Sequence, residues 1–153
     1  MGIFAIAAVI FAVELVIKGT VEKRIKEGEV KPFLGKMCWL RNYHNSGAML
    51  ELGKKRKGIV AFLSVAFTFL LFILALLSVY LGAGTGKAKT ALALVLGGAF
   101  SNTYDRLKRK YVVDYLSLRV KNKRLRSIVF NLADLCIFTG CAMLAITELL
   151  SEA

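Results

Sequence analysis

The sequence predicts an all-α membrane protein: four transmembrane helices, with a small surface-lying β region between the first two. Three observations predict it. Of the 153 residues, 57% are hydrophobic, and the mean hydropathy is +0.61. The apolar residues fall in four long blocks rather than at amphipathic spacing, which is the pattern of an integral membrane protein and not of a soluble core. Twenty of the 22 Lys and Arg lie in the two longer polar segments between those blocks.

The first block runs from Ile3 to Ile17 and is broken only by Glu14. A span over 3–20 follows, because a lysine such as Lys18 can snorkel its charge toward the surface. The block lacks a basic leader and a clear cleavage site, so it is read as retained. Lys18 to Lys57 form a polar segment. Alternation around "KMCWLRNYH" predicts a small sheet there, with Pro32 at its entry rather than in a central strand. The second block, Ile59 to Leu81, carries no charge and predicts a span over 59–81. "GAGTGKAK", Gly82 to Lys89, is a tight turn whose glycines end a helix. The third span, 88–104, is roughly 25 Å of helix, slightly short for a bilayer core. A second polar segment, Asp105 to Ser127, precedes the fourth span, 128–149. The chain is read as one domain, 1–153. Four crossings put both polar segments on one side of the membrane and both termini on the other.

The net charge is +12. Such a value points to nucleic acid or to an anionic membrane. No zinc finger, stacking-aromatic pattern or long basic helix is present, so phospholipid headgroups are the expected partner and nucleic acid is not. Cys38, Cys136 and Cys141 form no CxxC pair, which argues against a metal site and a disulfide framework. Taken alone, the charge bias places the two basic segments in the cytoplasm and both termini outside.

Several polar residues stand where hydrocarbon is expected. In "IVFNLADLCIFTG", Asn131 and Asp134 lie three apart and share a helix face. A carboxylate in a bilayer is costly and faces protein or a water-filled pocket. An interhelical hydrogen-bond pair or a helix cap at the interface would also account for them. "GGAFSNTYDRLKRKYVVDYL" repeats the pattern. Gly97 and Gly98 allow close helix approach. Asn102, Asp105 and Arg106 share a face, and Asp105 with Arg106 reads as an interfacial ion pair. Asp114 sits in an apolar run inside a basic segment. Asp114 and Asp134 thus come from separate elements near one membrane face. Paired carboxylates that share a proton can activate water with one member and polarise a carbonyl with the other. That chemistry hydrolyses a peptide without a metal or a covalent nucleophile. In "YHNSGAML", Asn45, Gly47 and Ala48 suit a turn that brings backbone close to a ligand. His44, the only histidine, has no nucleophile beside it, and Ser46 and Ser101 have no base.

Three motifs in this order resemble those of the lipoprotein signal peptidase family, also called signal peptidase II. "NSGA" at Asn45–Ala48 is similar to the family's Asn-x-Gly-Ala. "GGAFSNTYDR" followed by "VVD", ending at Asp114, resembles its Gly-Gly-Ala…Asn-x-x-Asp-Arg…Val-x-Asp block. "FNLAD" at Phe130–Asp134 resembles its Phe-Asn-x-Ala-Asp. The resemblance covers most of the chain. It implies a membrane-embedded aspartic peptidase that uses no metal or other cofactor. Its substrates would be prolipoproteins, cut immediately before a cysteine already carrying diacylglycerol. The catalytic pair falls on Asp114 and Asp134. Asn45, Asn102, Asp105, Arg106 and Asn131 match the supporting polar residues, with Asp105 structural and paired with Arg106. The family usually has Asp and then Lys in its first span; here Glu14 and Lys18 fill those places.

The resemblance also implies the bacterial cytoplasmic membrane, cytoplasmic termini, an active site on the outer face and a chain for which a monomer suffices. That orientation contradicts the charge bias, and the motif match is given more weight. Ser101 and Lys110 stand where the family usually has glycine, and Leu50 where it commonly has phenylalanine; these departures point to a divergent branch. The alternatives are a non-catalytic lipopeptide-binding membrane protein, against which both aspartates argue, and a small transporter subunit, which would more often show repeats or broken helices.

Overall fold

The structure is a computed structural model that describes residues 2–35, 37–47 and 54–151, without the side chains of Lys54, Lys123 and Ser151. The elements are α1 (Gly2–Arg24), β1 (Val30–Phe33), β2 (Cys38–Asn45), a 3-10 turn (Lys54–Arg56), α2 (Lys57–Tyr80), α3 (Gly86–Lys108), β3 (Val112–Leu118), α4 (Lys123–Ser127), β4 (Val129–Phe130) and α5 (Leu132–Ser151). The molecule is an all-α, multi-span membrane protein with one small open sheet.

Among the described residues, three helices are long and apolar enough to cross a membrane: α1, α2 and α5. The predicted third span forms a helix, α3, but falls short on apolarity. Its sequence carries Gly97, Gly98, Ser101, Asn102, Thr103 and Asp105, and all of these are buried. The reason is its place. α3 packs against α1, α2 and α5, so its polar and small residues meet protein rather than lipid. The α1–α2–α3 core is formed by Ile3, Ala7, Leu71, Ala75, Ala93, Val95, Leu96 and Ala99. Thr68 of α2 and Thr103 of α3 share a hydrogen bond of 2.8 Å, a polar link of the kind that joins helices in a bilayer.

Glycines set the helix spacing. A Cβ on Gly97 would stand 2.9 Å from the Ile10 Cβ, and one on Gly98 would stand 2.5 Å from the Ala133 carbonyl oxygen. The expected close approach is therefore present on two sides of α3. Gly140 of α5 does the same against Ala91, where its Cβ would stand 2.6 Å from the carbonyl oxygen. Gly98→Ala forces α5 outward at the residue preceding Asp134. It is expected to cost about 1–3 kcal/mol, read as a lower unfolding temperature in detergent, and to lower turnover as well.

The sheet corrects the prediction of a β region confined between the first two spans. Its order is β1-β2-β3-β4, every pair antiparallel. Two strands come from the first polar segment, and β3 comes from the second. β4 takes Val129 and Phe130, which were assigned to the fourth span. A short apolar run before a helix reads equally well as strand or helix by periodicity. Pro32 lies on the edge strand β1, opposite Trp39, where its missing N–H breaks no central ladder. Val113 and Tyr115 of β3 pack on Val21 and Ile25, at and just beyond the end of α1. The sheet thus sits on the bundle end where α1 and α3 finish and α2 and α5 begin.

Candidate active site

α5 opens with a reciprocal cap. Asn131 precedes its first residue, and its Oδ1 accepts from the Asp134 backbone N–H at 2.9 Å. Asp134 Oδ2 accepts in return from the Asn131 N–H at 3.1 Å. This is a capping box, in which an N-cap side chain and the residue three places on satisfy each other's backbone donors. One alternative for these two residues, a helix cap, is therefore what they form, and they do more besides.

The Asn131 amide also donates to Asp114 Oδ1 at 2.7 Å. Asn131 thus binds both carboxylates, Asp114 with its side chain and Asp134 with its backbone. Asn45, at the end of β2, donates to Asp114 Oδ2 at 2.9 Å, and its own oxygen accepts from the Gly47 N–H at 3.0 Å. Asn102 of α3 donates to Asp134 Oδ1 at 2.8 Å. Each carboxylate is held by donors on both oxygens, and its remaining lone pairs are free for a proton or a water. Asp114 is 2% exposed, whereas Asp134 is half-buried.

A cationic support lies behind the pair. Lys18, only 1% exposed, donates to Asn102 Oδ1 at 2.9 Å and to Ser101 Oγ at 3.0 Å. It pairs with Asp105 at 3.0 Å and with Glu14 at 3.4 Å. An ammonium only donates, so Lys18 obliges Asn102 to face it with oxygen and to turn its NH2 to Asp134.

The partner of Asp105 is not Arg106. Asp105 is ion-paired with Lys18 and Arg109 and accepts from the Val113 N–H at 3.3 Å. Successive residues on a helix diverge by about 100°, whereas residues four apart stack on one face. Arg106 instead donates to the carbonyls of Asn102 at 3.3 Å and of Gly47 at 3.2 Å. Ala48 and Leu50 lie outside the described residues. Lys110 has φ +67°, a backbone region that favours glycine, the residue that the resemblance leads one to expect there.

Sequence reasoning missed Tyr115 and Arg109. Tyr115 donates to Glu14 Oε1 at 2.8 Å and accepts from the Leu132 N–H at 3.1 Å. The available signal was Glu14 itself, a buried carboxylate that needed donors beyond Lys18. His44 belongs to a separate cluster. It stacks on Tyr111 with ring centroids 4.0 Å apart and lies 3.7 Å from Glu22 and 3.9 Å from Glu27. Among the described residues, no group of three or more His, Cys, Asp or Glu is arranged to hold a metal ion.

Burial, then the neighbouring Asp134 charge, pushes the Asp114 carboxyl up to about 7, against the donors Asn45 and Asn131 that favour its charged form. Burial, with the Glu14 charge behind it, holds the Tyr115 phenol above its usual range, so it stays a donor.

The family model described as signal peptidase (SPase) II matches residues 6–150. The chain belongs to the signal peptidase II family. It is 33% identical over 144 residues to the lipoprotein signal peptidase of Moorella thermoacetica, covering 94% of this chain and 90% of that one. It is 31% identical over 145 residues to the lipoprotein signal peptidase of Brevibacillus brevis, covering 94% and 92%. The fold is also that of a bacterial membrane enzyme solved by the in meso method at 2.3 Å, with a TM-score of 0.84 at 19% identity, covering 99% of this chain and 90% of that one. A second such structure, at 1.9 Å, has a TM-score of 0.71 at 21% identity, covering 97% and 92%. As a signal peptidase II, the protein is an aspartic endopeptidase and a multi-pass protein of a bacterial membrane.

Proposed function

We propose that this signal peptidase II cuts diacylglyceryl-modified prolipoproteins immediately before the lipidated cysteine, with Asp114 and Asp134 as its catalytic pair. The observation that carries the assignment is Asn131, one residue bonded to both carboxylates. The pair holds a water against the scissile carbonyl. The ionised member takes the water's proton as the oxygen attacks carbon, and the protonated member gives its proton to the carbonyl oxygen. As the tetrahedral intermediate collapses, the leaving amine takes up a proton from the pair. The two titrate as a unit. Asn45, Asn102 and Asn131 orient the carboxylates. Glu14, Lys18, Asp105 and Arg106 hold the surrounding elements.

We also read α3 as a fourth crossing, since its 23 residues make roughly 34 Å of helix. The whole chain then acts as one peptidase domain, with the sheet and site on the outer face and the termini in the cytoplasm. The lipid tails of the substrate stay in the bilayer while its peptide reaches the half-buried Asp134. The basic residues around the sheet meet anionic headgroups. Every side chain named in the site comes from one chain, so a monomer is complete.

The test is cleavage of a diacylglyceryl-modified prolipopeptide, and of its unmodified twin, by purified protein across pH 4–9. The expected result is a cut before the modified cysteine only. The kcat/KM profile should be bell-shaped. Its alkaline limb should fall near pH 7, where the raised Asp114 carboxyl gives up the shared proton. Its acid limb falls where both carboxyls are protonated. Because folding raises this carboxyl above its ordinary value, its contribution to stability is full in acid and is lost as pH rises through about 7. Equal cleavage of both peptides, or no cleavage by folded protein, overturns the substrate assignment.

A further inference from the structure

We propose that Glu14 and Tyr115 are positioning residues that hold the first turn of α5 and thereby set where Asp134 stands against Asp114. The proposal rests on the catalytic pair assigned above.

Helix openings leave their first amides without partners inside the helix. Here each of the first three amides of α5 meets a side chain. Leu132 N–H donates to the Tyr115 hydroxyl at 3.1 Å, Ala133 N–H to Glu14 Oε1 at 2.9 Å, and Asp134 N–H to Asn131 at 2.9 Å. The Tyr115 hydroxyl in turn donates a hydrogen bond to the same Glu14 oxygen at 2.8 Å. A hydroxyl can donate once and accept at the same time. The result is a closed joint in which α1 supplies a carboxylate, β3 a hydroxyl and α5 two amides.

The joint has a consequence for the pair. Tyr115 follows Asp114 on β3, and Leu132 and Ala133 precede Asp134 on α5. One set of bonds therefore ties the strand carrying the first carboxylate to the helix carrying the second. Glu14 and Ala133 are fully buried and Tyr115 is 3% exposed, so bulk water has no path to replace a lost partner. The side-chain length at position 14 matters too. An aspartate there would withdraw its oxygens by about one C–C bond, roughly 1.5 Å, beyond hydrogen-bond reach of both donors.

The experiment measures kcat and KM on the lipidated peptide for wild type, Tyr115→Phe, Glu14→Asp and the double variant. Each rate is normalised to the folded fraction, and Asp134→Asn is run alongside. Tyr115→Phe is expected to keep KM and to lose about tenfold in kcat per folded molecule. Glu14→Asp should lose a similar factor, and the double variant should be little worse than either single one, because all three break the same joint. If Glu14→Asp yields no folded protein, Tyr115→Phe decides alone. Wild-type kcat per folded molecule in Tyr115→Phe, however unstable the protein, overturns the positioning role. Multiplying losses in the double variant overturn the joint. Cleavage by Asp134→Asn at the wild-type rate overturns the catalytic pair itself, whatever Tyr115→Phe does.

Discussion

Asp114→Asn and Asp134→Asn should each lower turnover per folded molecule by on the order of 10^4-fold. Neither is a silent isostere. In wild type, both oxygens of Asp114 accept from amides, Asn45 on one and Asn131 on the other. An amide at 114 turns one acceptor into a donor and sets it against a donor. Asn131 cannot flip to relieve this without breaking its cap to Asp134, and Asn45 cannot without losing Gly47. At 134 the conflict falls on Asn102, whose orientation Lys18 enforces. Both variants should therefore also unfold at lower temperature. Turnover must be divided by the folded fraction, from thermal unfolding and size exclusion in detergent. Retained cleavage by either folded variant would remove that residue from the chemistry.

Lys18→Met should be the most damaging substitution outside the carboxylate pair. Lys18 lies between Glu14 and Asp105, and all three are almost wholly buried. Removing the cation leaves two buried carboxylates short of compensation, a loss of about 3–5 kcal/mol. It also leaves the Asn102 oxygen held only by the longer bond from the Asn131 amide, 3.3 Å, so Asn102 is less firmly turned toward Asp134. Folded yield and kcat should fall together. Adding Glu14→Gln to Lys18→Met should recover part of the folded yield, because it removes one orphaned charge, while kcat stays low because Asn102 still lacks its shorter donor. A Lys18→Met protein with wild-type unfolding temperature and kcat would contradict the ion-pair account.

α2 was legible because it is uncharged for more than twenty residues, and α1 because its apolar run from Ile3 to Ile17 is broken only by Glu14. α3 was legible from its apolar block at 88–104, although that block is short for a span, and its polar residues belong to a helix enclosed by protein. The strands were the hardest to read. β3 and β4 are short, and their pairing joins segments far apart in the chain, which no local pattern reports. The residues around the pair were found through motif resemblance. Spacing alone permitted Asp114 and Asp134 to meet without requiring it. Adjacency in sequence suggests Arg106 as the partner of Asp105, but on a helix Arg109, four residues on, is the neighbour. Tyr115 carries no local signal in the sequence, because its hydroxyl bonds to Glu14, 101 positions away.

The capping box at Asn131 and Asp134 restricts how this protein can change. In an ordinary helix the opening residues are interchangeable, and Ser, Thr, Asp and Asn serve alike. At position 131, serine or threonine could still cap α5 but would bring no amide to Asp114, and aspartate would bring a third carboxyl group with no amide donor. At position 134, glutamate or glutamine can close a capping box but cannot keep the carboxylate in its present place. Selection on helix stability and selection on chemistry therefore fall on the same two side chains. Drift that is neutral for one is paid for in the other, so the start of α5 has little room to change.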